Sequence, residues 1–486
     1  MGRRLRKKGG GFEGEVMIET PIIEALEKHI LKNPTAFHMP GHKGGKKIPK
    51  QILENFLKYD LTELEGLDNL HLPKGVIKTA QDMMASAVSS KKSFFLVNGS
   101  SGGILAAIYS VIRENDKIIV TRDCHRSVIN ALGICGGQGV FVKTCRNSGF
   151  GINTGVDIED LKRCVDENKD AKAIFITRPT FYGVCSDIDE ILRISKKNNM
   201  VLIVDEAHGA HFPFNENLPK SAVELGADLV VQSAHKTLLC PNQAAYLHLN
   251  GDVVDEARLV QALSIFQTTS PSYVLLLFLD FARAFLQTEG RSYLDNVINL
   301  CDKFRDGFKN HPYFKILRKE NLNKGELDPT RLVLNTFRAN MTGYDVDKIL
   351  QKDYNIYAEM SDLQNVVFIV SLVDDKDNLD YLDSAIKKII PSGKKVLESL
   401  EFDIPIPKIG MRIKDALNTD YEYVRLSKSM GRICKFMLTP YPPGIAVICP
   451  GEIIDAKVVD VLERIRFAGG SVDGLGEDGR IAVANF

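Results

Sequence analysis

The chain has 486 residues, 44% hydrophobic and 26% charged, with 62 Lys+Arg balanced by 62 Asp+Glu. That length exceeds what one hydrophobic core normally serves, so two large folding units of ordinary globular composition are expected. The charge balance leaves no whole-chain field to attract nucleic acid or an anionic membrane, which excludes partners bound by net charge alone.

In chain order, the start MGRRLRKKGGG is basic with no apolar stretch behind it, so it is no secretory signal. Position six is Arg6, not the Ser or Thr of a myristoylation motif. Residues 1–15 read as a disordered tail. Residues 16–75 are rich in turn signals, HMPGHKGG above all, and are expected to wrap over the core. From residue 76 to 300 two periodicities alternate. VIKTAQDMMASAVS suits a helix, SFFLV (93–97) a strand, GILAAIYSVI a helix and KIIVT (117–121) a strand. Further apolar runs follow at 139–143, 171–177, 201–205, 228–232 and 244–249, several separated by helix-like pieces such as DIEDLKRCV. Strands apolar at nearly every position, alternating with helices, predict an α/β unit with a mostly parallel sheet covered on both faces. Ligands of such sheets bind beyond the carboxyl ends of the strands. Residues 301–486 change rhythm. The long helical run 291–309 leads to short strands at RLVLN (331–335) and NVVFIV (365–370), then to a charged helix at 377–389. This predicts a smaller α+β unit. No apolar run approaches the ~20 residues of a membrane span. The nine scattered cysteines, without a C-x-x-C pair, fit reduced thiols in a cytoplasmic protein.

Four features gather at strand ends. LVNGSSGGILAAI (96–108) is strand, Gly/Ser turn, then helix, and its free N–H groups and helix N-terminus suit a phosphate. Tight turns use such residues anyway, and no P-loop occurs in the chain. His125 in TRDCHRSVINAL opens a helix just past a strand; alone, it reads more readily as an ordinary first-turn residue with no ligand. Asp205 ends the apolar strand VLIVD, a costly place for a carboxylate unless a cation meets it. DEAH suggests a helicase ATPase, but the missing P-loop removes its phosphate site. Asp205, His208 and His211 form an unspecific metal-ligand alternative, without a further ligand cluster. Finally, ADLVVQSAHKTLLCPNQ (227–243) sets Ser233, His235 and Lys236 where another apolar strand stops. A lysine near a low-dielectric site sheds its proton readily and can attack a carbonyl. Pyridoxal 5'-phosphate needs all four parts: a phosphate cradle, a stacking ring, a carboxylate for its pyridine nitrogen and a Schiff-base lysine. Chain order and the gap from Asp205 to Lys236 fit two neighbouring strands of one sheet.

The same stretches carry a family resemblance. FHMPGHKGG, DLTELEGLDNLHLPKGVI, FFLVNGSSGG, RDCHRSV, RPTFYGV, VDEAHGAHF, GADLVVQSAHKTL, TTSPSY and PYPPGIAVICPGE span nearly the whole chain. In this order the chain resembles the Orn/Lys/Arg decarboxylases of the aspartate aminotransferase-like, fold type I class. It is similar to their short form, which lacks an N-terminal wing domain. The resemblance implies a seven-stranded large domain, a smaller C-terminal domain and an active site built between two subunits of a homodimer or higher oligomer. It implies Lys236 as the Schiff-base lysine, Asp205 on the pyridinium nitrogen, and His125 and Ala207 on the two faces of the ring. Ser100, Ser101, Ser233 and His235 would hold the phosphate, with Gly102 and His208 beside the cofactor and Thr269 or Ser270 reaching the partner's phosphate. Glu359 would meet a basic substrate's side chain, and His42 would shape the entrance. No metal is implied.

The implied reaction is α-decarboxylation of a basic amino acid, arginine ahead of lysine and ornithine. An aminotransferase or lyase on the same fold, or a silent relative acting in assembly, are the alternatives. The chain departs from the family's usual pattern at Pro241, at Lys435 and Phe436, and at Ala446; none removes an implied cofactor contact, while Pro241 and Phe436 open the substrate's identity, and activity itself, to question.

Overall fold

The computed structural model describes residues 20–392, 404–441 and 444–485, so the tail expected at 1–15 lies outside the described residues. The large sheet has seven strands: β1 (Lys92–Leu96), β2 (Lys117–Thr121), β3 (Gln138–Val142), β4 (Ala173–Thr177), β5 (Val201–Asp205), β6 (Leu229–Gln232) and β7 (Ala245–Leu249), in the order β1-β7-β6-β5-β4-β2-β3. Strands β4, β5 and β6 are buried at every position, which their unbroken apolar runs anticipate. Alternate residues feed opposite faces: Ile174 and Ile176 join one core, while Ala173 and Phe175 join the other.

Strand β7 alone runs against its neighbours. Between β6 and β7 there is room only for the short helix α2 (Ala234–Thr237) and a turn. A parallel return usually carries a full helix, which these twelve residues do not form. The helix α1 (Gly99–Val111) leaves β1 and lies so close on the sheet that a Cβ at Gly103 would stand 2.6 Å from Leu96 Cδ1. Glycine at that position sets the depth of the helix against β6.

His248 on β7 ties three strands together. Its Nε2–H donates to Gln232 Oε1 at 3.0 Å, and its Nδ1 accepts from Ser93 Oγ at 2.7 Å. Burial lowers its pKa from 6.5 to about 3. Below pH 6.5 the unfolded chain takes up a proton that the folded chain refuses until about pH 3. This residue therefore costs about 1.4 kcal/mol of stability per pH unit on acidification through that window. A His248→Asn variant, weaker near neutrality, is expected to converge on the parent in denaturant midpoint as pH falls towards about 4. A constant difference between the two would show that His248 does not contribute this sensitivity.

A second, four-stranded antiparallel sheet comprises β8 (Lys315–Ile316), β9 (Arg331–Asn335), β10 (Met360–Ser361) and β11 (Asn365–Ile369), ordered β8-β9-β11-β10. Its core joins Leu332, Leu334, Val366 and Phe368 to the helices Arg291–Gly307 and Lys376–Lys388. A separate apolar cluster around Leu438, Ile448, Val458 and Leu462 organises residues 404–485, so region 301–486 holds more than one core. Several ties join these bodies. Thr35–Phe37 pairs in parallel with Ile356–Ala358. Arg122 grips Glu452 with both Nη atoms, at 2.6 and 2.9 Å, each side chain being 2% exposed. The backbone of His125 bridges that of Ile445. Among the described residues no helix is long and apolar enough to cross a membrane.

Candidate active site

Strands β5 and β6 are parallel neighbours, with Asp205 opposite Val231. The chain leaving β6 therefore passes in front of Asp205, where Ser233 precedes α2 without a side-chain cap bond and Lys236 follows. Burial raises the pKa of the Asp205 carboxyl, while the charge of Lys236 and the Ala207 N–H, which donates to Oδ1 at 3.0 Å, pull it back. Among the described residues its Oδ2 accepts no hydrogen bond. Burial lowers the pKa of Lys236, opposed by Asp205 and Glu359 and assisted by Arg331. The two groups named first from the sequence thus face one recess and feel each other's charge.

The phosphate turn is uncapped. Asn98 precedes α1 but makes no cap, its Nδ2 donating instead to Phe266 O at 2.8 Å. The first N–H groups of a helix have no partner within the helix; here that of Gly99 is taken by Gln243 O at 2.8 Å, which leaves those of Ser100 and Ser101. Ser233 Oγ donates to Ser100 Oγ at 2.8 Å, bringing two implied phosphate ligands together. Ser101 is exposed and Gly102 buried beside them. His235 Nδ1–H donates to Ala244 O at 3.0 Å, and burial lowers its pKa to about 4. His125 caps its helix (Arg126–Cys135): Nδ1 accepts from Ser127 N–H, which leaves the remaining proton of the neutral ring on Nε2. Burial, then Lys236 and Arg126, lower the His125 pKa to about 4.

His208 is more deeply engaged than the sequence implies. Its Nε2 lies 3.0 Å from Lys236 Nζ, and Arg331 Nη2 donates to its Nδ1 at 3.0 Å. The Phe181 ring packs 5.1 Å from the imidazole, centroid to centroid. The metal alternative is corrected here: His211 turns away to Asp328, Nε2 to Oδ2 3.3 Å, so the two histidines serve different partners. Among the described residues no group of three ligands is set for a metal.

The N-terminal segment closes the recess. Gly41 N–H donates to His235 O at 2.8 Å, and a Cβ on Gly41 would meet Leu238 O at 2.6 Å, so the loop lies directly on the backbone around Lys236. Glu359 Oε2 accepts from Met39 N–H at 2.9 Å, and its charge reaches Lys43, Lys236 and Arg331. Lys43 Nζ donates to His38 O and Ile369 O, and burial lowers its pKa to about 8. Some expected residues do not converge. His42 Nδ1 accepts from Gly45 N–H, and the ring borders a separate cavity of about 630 Å³ with Leu53, Pro241 and Phe278. Thr269 and Ser270 are exposed on this chain and contact none of the other site residues. Arg331 and Lys43 were not anticipated. Lys43 lies within FHMPGHKGG and Arg331 within RLVLN, but their partners are 326 and 123 residues away in sequence.

Residues 20–378 match the family described as Orn/Lys/Arg decarboxylase, major domain, and residues 406–476 match its C-terminal domain. The chain belongs to the Orn/Lys/Arg decarboxylase family. An arginine decarboxylase of Bacillus subtilis is 35% identical over 467 residues, spanning 94% of this chain and 95% of that protein. The lysine decarboxylase LdcA of Pseudomonas aeruginosa is 22% identical, spanning 92% and 76%. Among solved structures, the lysine decarboxylase LdcF of Francisella novicida superposes with a TM-score of 0.78 at 22% identity, covering 92% of this chain and 78% of that one. The fold is fold type I, and the chain is an amino-acid decarboxylase of the class acting on basic substrates.

Two departures of this Orn/Lys/Arg decarboxylase are placed by their packing. Phe436 packs edge-on against Tyr421 at 5.3 Å, and the neighbouring Lys435 Nζ donates to Leu417 O at 2.8 Å. Ala446 is buried in the core beside Cys449. Pro241 belongs to the turn whose Gln243 carbonyl accepts from Gly99 N–H, so it bears on the phosphate turn from behind.

Proposed function

We propose that this chain decarboxylates arginine to agmatine with pyridoxal 5'-phosphate as its cofactor. The observation that carries the cofactor is the buried pair at the ends of β5 and β6, a carboxylate with a free Oδ2 and an amine whose proton burial loosens. The uncapped N-terminus of α1, with the joined hydroxyls of Ser100 and Ser233, fits a phosphate at the other end of the same recess. The neutral ring of His125 suits stacking. Arginine as substrate rests on the 35% identical arginine decarboxylase, and Glu359 supplies a carboxylate for a guanidinium.

When bound, the cofactor supplies a sink for the electron pair left as CO2 departs. The protein supplies position and charge. Asp205 Oδ2 is free to keep a ring N–H protonated. Lys236 Nζ is the amine that would hold the aldehyde end of the cofactor. Arg331 has Nε and Nη1 buried without partners, two donors available to orient the amino acid's carboxylate. Gly41 and its loop exclude water over α2. Thr269 and Ser270 are assigned to a second subunit's phosphate. The exposed Ile22, Leu26, Leu31, Leu57 and Leu72 of the N-terminal segment offer an apolar surface for that second copy.

The purified protein with added pyridoxal phosphate is expected to release CO2 from arginine faster than from lysine or ornithine, and little without the cofactor. Release from lysine alone would overturn the substrate. No release from any of the three, with cofactor bound, would favour a silent relative.

A further inference from the structure

We infer that Arg331 and His208 act as a positioning pair that holds Lys236 as the neutral amine before any cofactor arrives. The inference rests on the cofactor reading above and adds to it a fixed proton inventory. A guanidinium has only donors and is not deprotonated in proteins. Arg331 Nη2 stands 3.0 Å from His208 Nδ1, so Nδ1 must present its lone pair. A neutral imidazole has one N–H, which is therefore on Nε2, and Nε2 stands 3.0 Å from Lys236 Nζ. Nζ has to accept that proton's hydrogen bond. An ammonium has no lone pair with which to do so, and two cations cannot both donate to one imidazole that keeps a proton. Arg331 cannot yield; Lys236 does.

The surroundings fix the arrangement. Arg331 is 1% exposed on β9, and Asp328 and Glu359 compensate its charge. Burial drives the His208 pKa well below its ordinary value, with the charge of Arg331 adding to the effect, so the imidazolium is not an alternative. Phe181 closes one side of the imidazole. Against the pair stand Asp205 and Glu359, the two carboxylates that favour the ammonium; His125 and His235 are neutral near pH 7. The free amine matters because its lone pair forms the bond to the aldehyde carbon, and its two protons leave with the aldehyde oxygen as water. An ammonium would have to be deprotonated first.

The test is competitive labelling of the full-length apoprotein with a trace amine reagent across pH, with the Lys236 peptide quantified by mass spectrometry. In the parent, Lys236 is expected to titrate well below an ordinary lysine. In His208→Gln, whose amide oxygen can accept from an ammonium, its pKa is expected to rise by about 1–2 units although the charge of Arg331 remains. Arg331→Lys, which keeps both charge and donor, is expected to leave it near the parental value. An unchanged Lys236 pKa in His208→Gln, or an ordinary value in the parent, overturns the inference. Loss of fold in one variant is read from circular dichroism, and the parent's value then still decides. Addition of pyridoxal phosphate and borohydride maps the lysine captured. Capture elsewhere sinks the cofactor reading, while the measured pKa of Lys236 still judges the proton inventory.

Discussion

Replacing Lys236 with methionine is expected to lower CO2 release by at least about 10³–10⁴-fold, in line with removing an activated nucleophile and proton carrier. The visible absorbance of bound cofactor is expected to be lost or displaced. Methionine keeps an unbranched chain of similar length, so the packing of α2 against Leu238 and Leu239, both fully buried, is retained. The principal structural loss is the acceptor for His208 Nε2–H, about 1–3 kcal/mol. That is a fraction of the ~5–15 kcal/mol that ordinarily separates folded from unfolded states. The variant should therefore be folded and inert. Parental CO2 release from it would remove Lys236 from the chemistry altogether.

The largest loss of stability is expected from Glu452→Ala. Removing one member of a buried ion pair leaves the other charge uncompensated, typically costing about 3–5 kcal/mol. Arg122 would retain only Val447 O at 3.0 Å and the weak acceptor Cys449 Sγ at 3.5 Å. The N–H of Cys449 would also lose its acceptor, Glu452 Oε2. Hydrogen exchange is expected to rise first at residues 445–452, and cofactor affinity to fall, because the backbone of Ile445 is bridged to that of His125. The double variant Arg122→Met, Glu452→Met should recover most of the stability, since no buried charge then remains unpaired. If the single and double variants unfold alike, the contribution of this pair lies in its shape rather than its charge.

Much of this was legible beforehand because burial on both faces of a parallel strand leaves an unbroken apolar run. Polar residues at the end of such a run then stand out, as Asp205 and Lys236 do. The direction of β7 was not legible: AAYLHL reads the same either way, and only the short connection after Lys236 decides it. Arg331 lies within the apolar strand RLVLN, where a leading arginine looks like a solvated end; its opposite neighbour Ile369 and its partner His208 come from distant segments. RDCHRSV and PYPPGIAVICPGE were matched as separate motifs, yet Arg122 and Glu452 are one device, joined across 330 residues. Phe436, a departure from the family pattern, packs beside Tyr421, a contact that the sequence does not announce.

The loop that seats Gly41 on the carbonyl of Leu238 is itself held by Met39 against Glu359, a separation of 320 residues. The ribosome emits the first of these partners long before the second, at ~5–20 residues per second, so the loop waits roughly a quarter of a minute to a minute for its anchor. Nascent chains shorter than about that span have the lysine without its cover. The newborn enzyme can complete its reaction chamber only after Glu359 has been made.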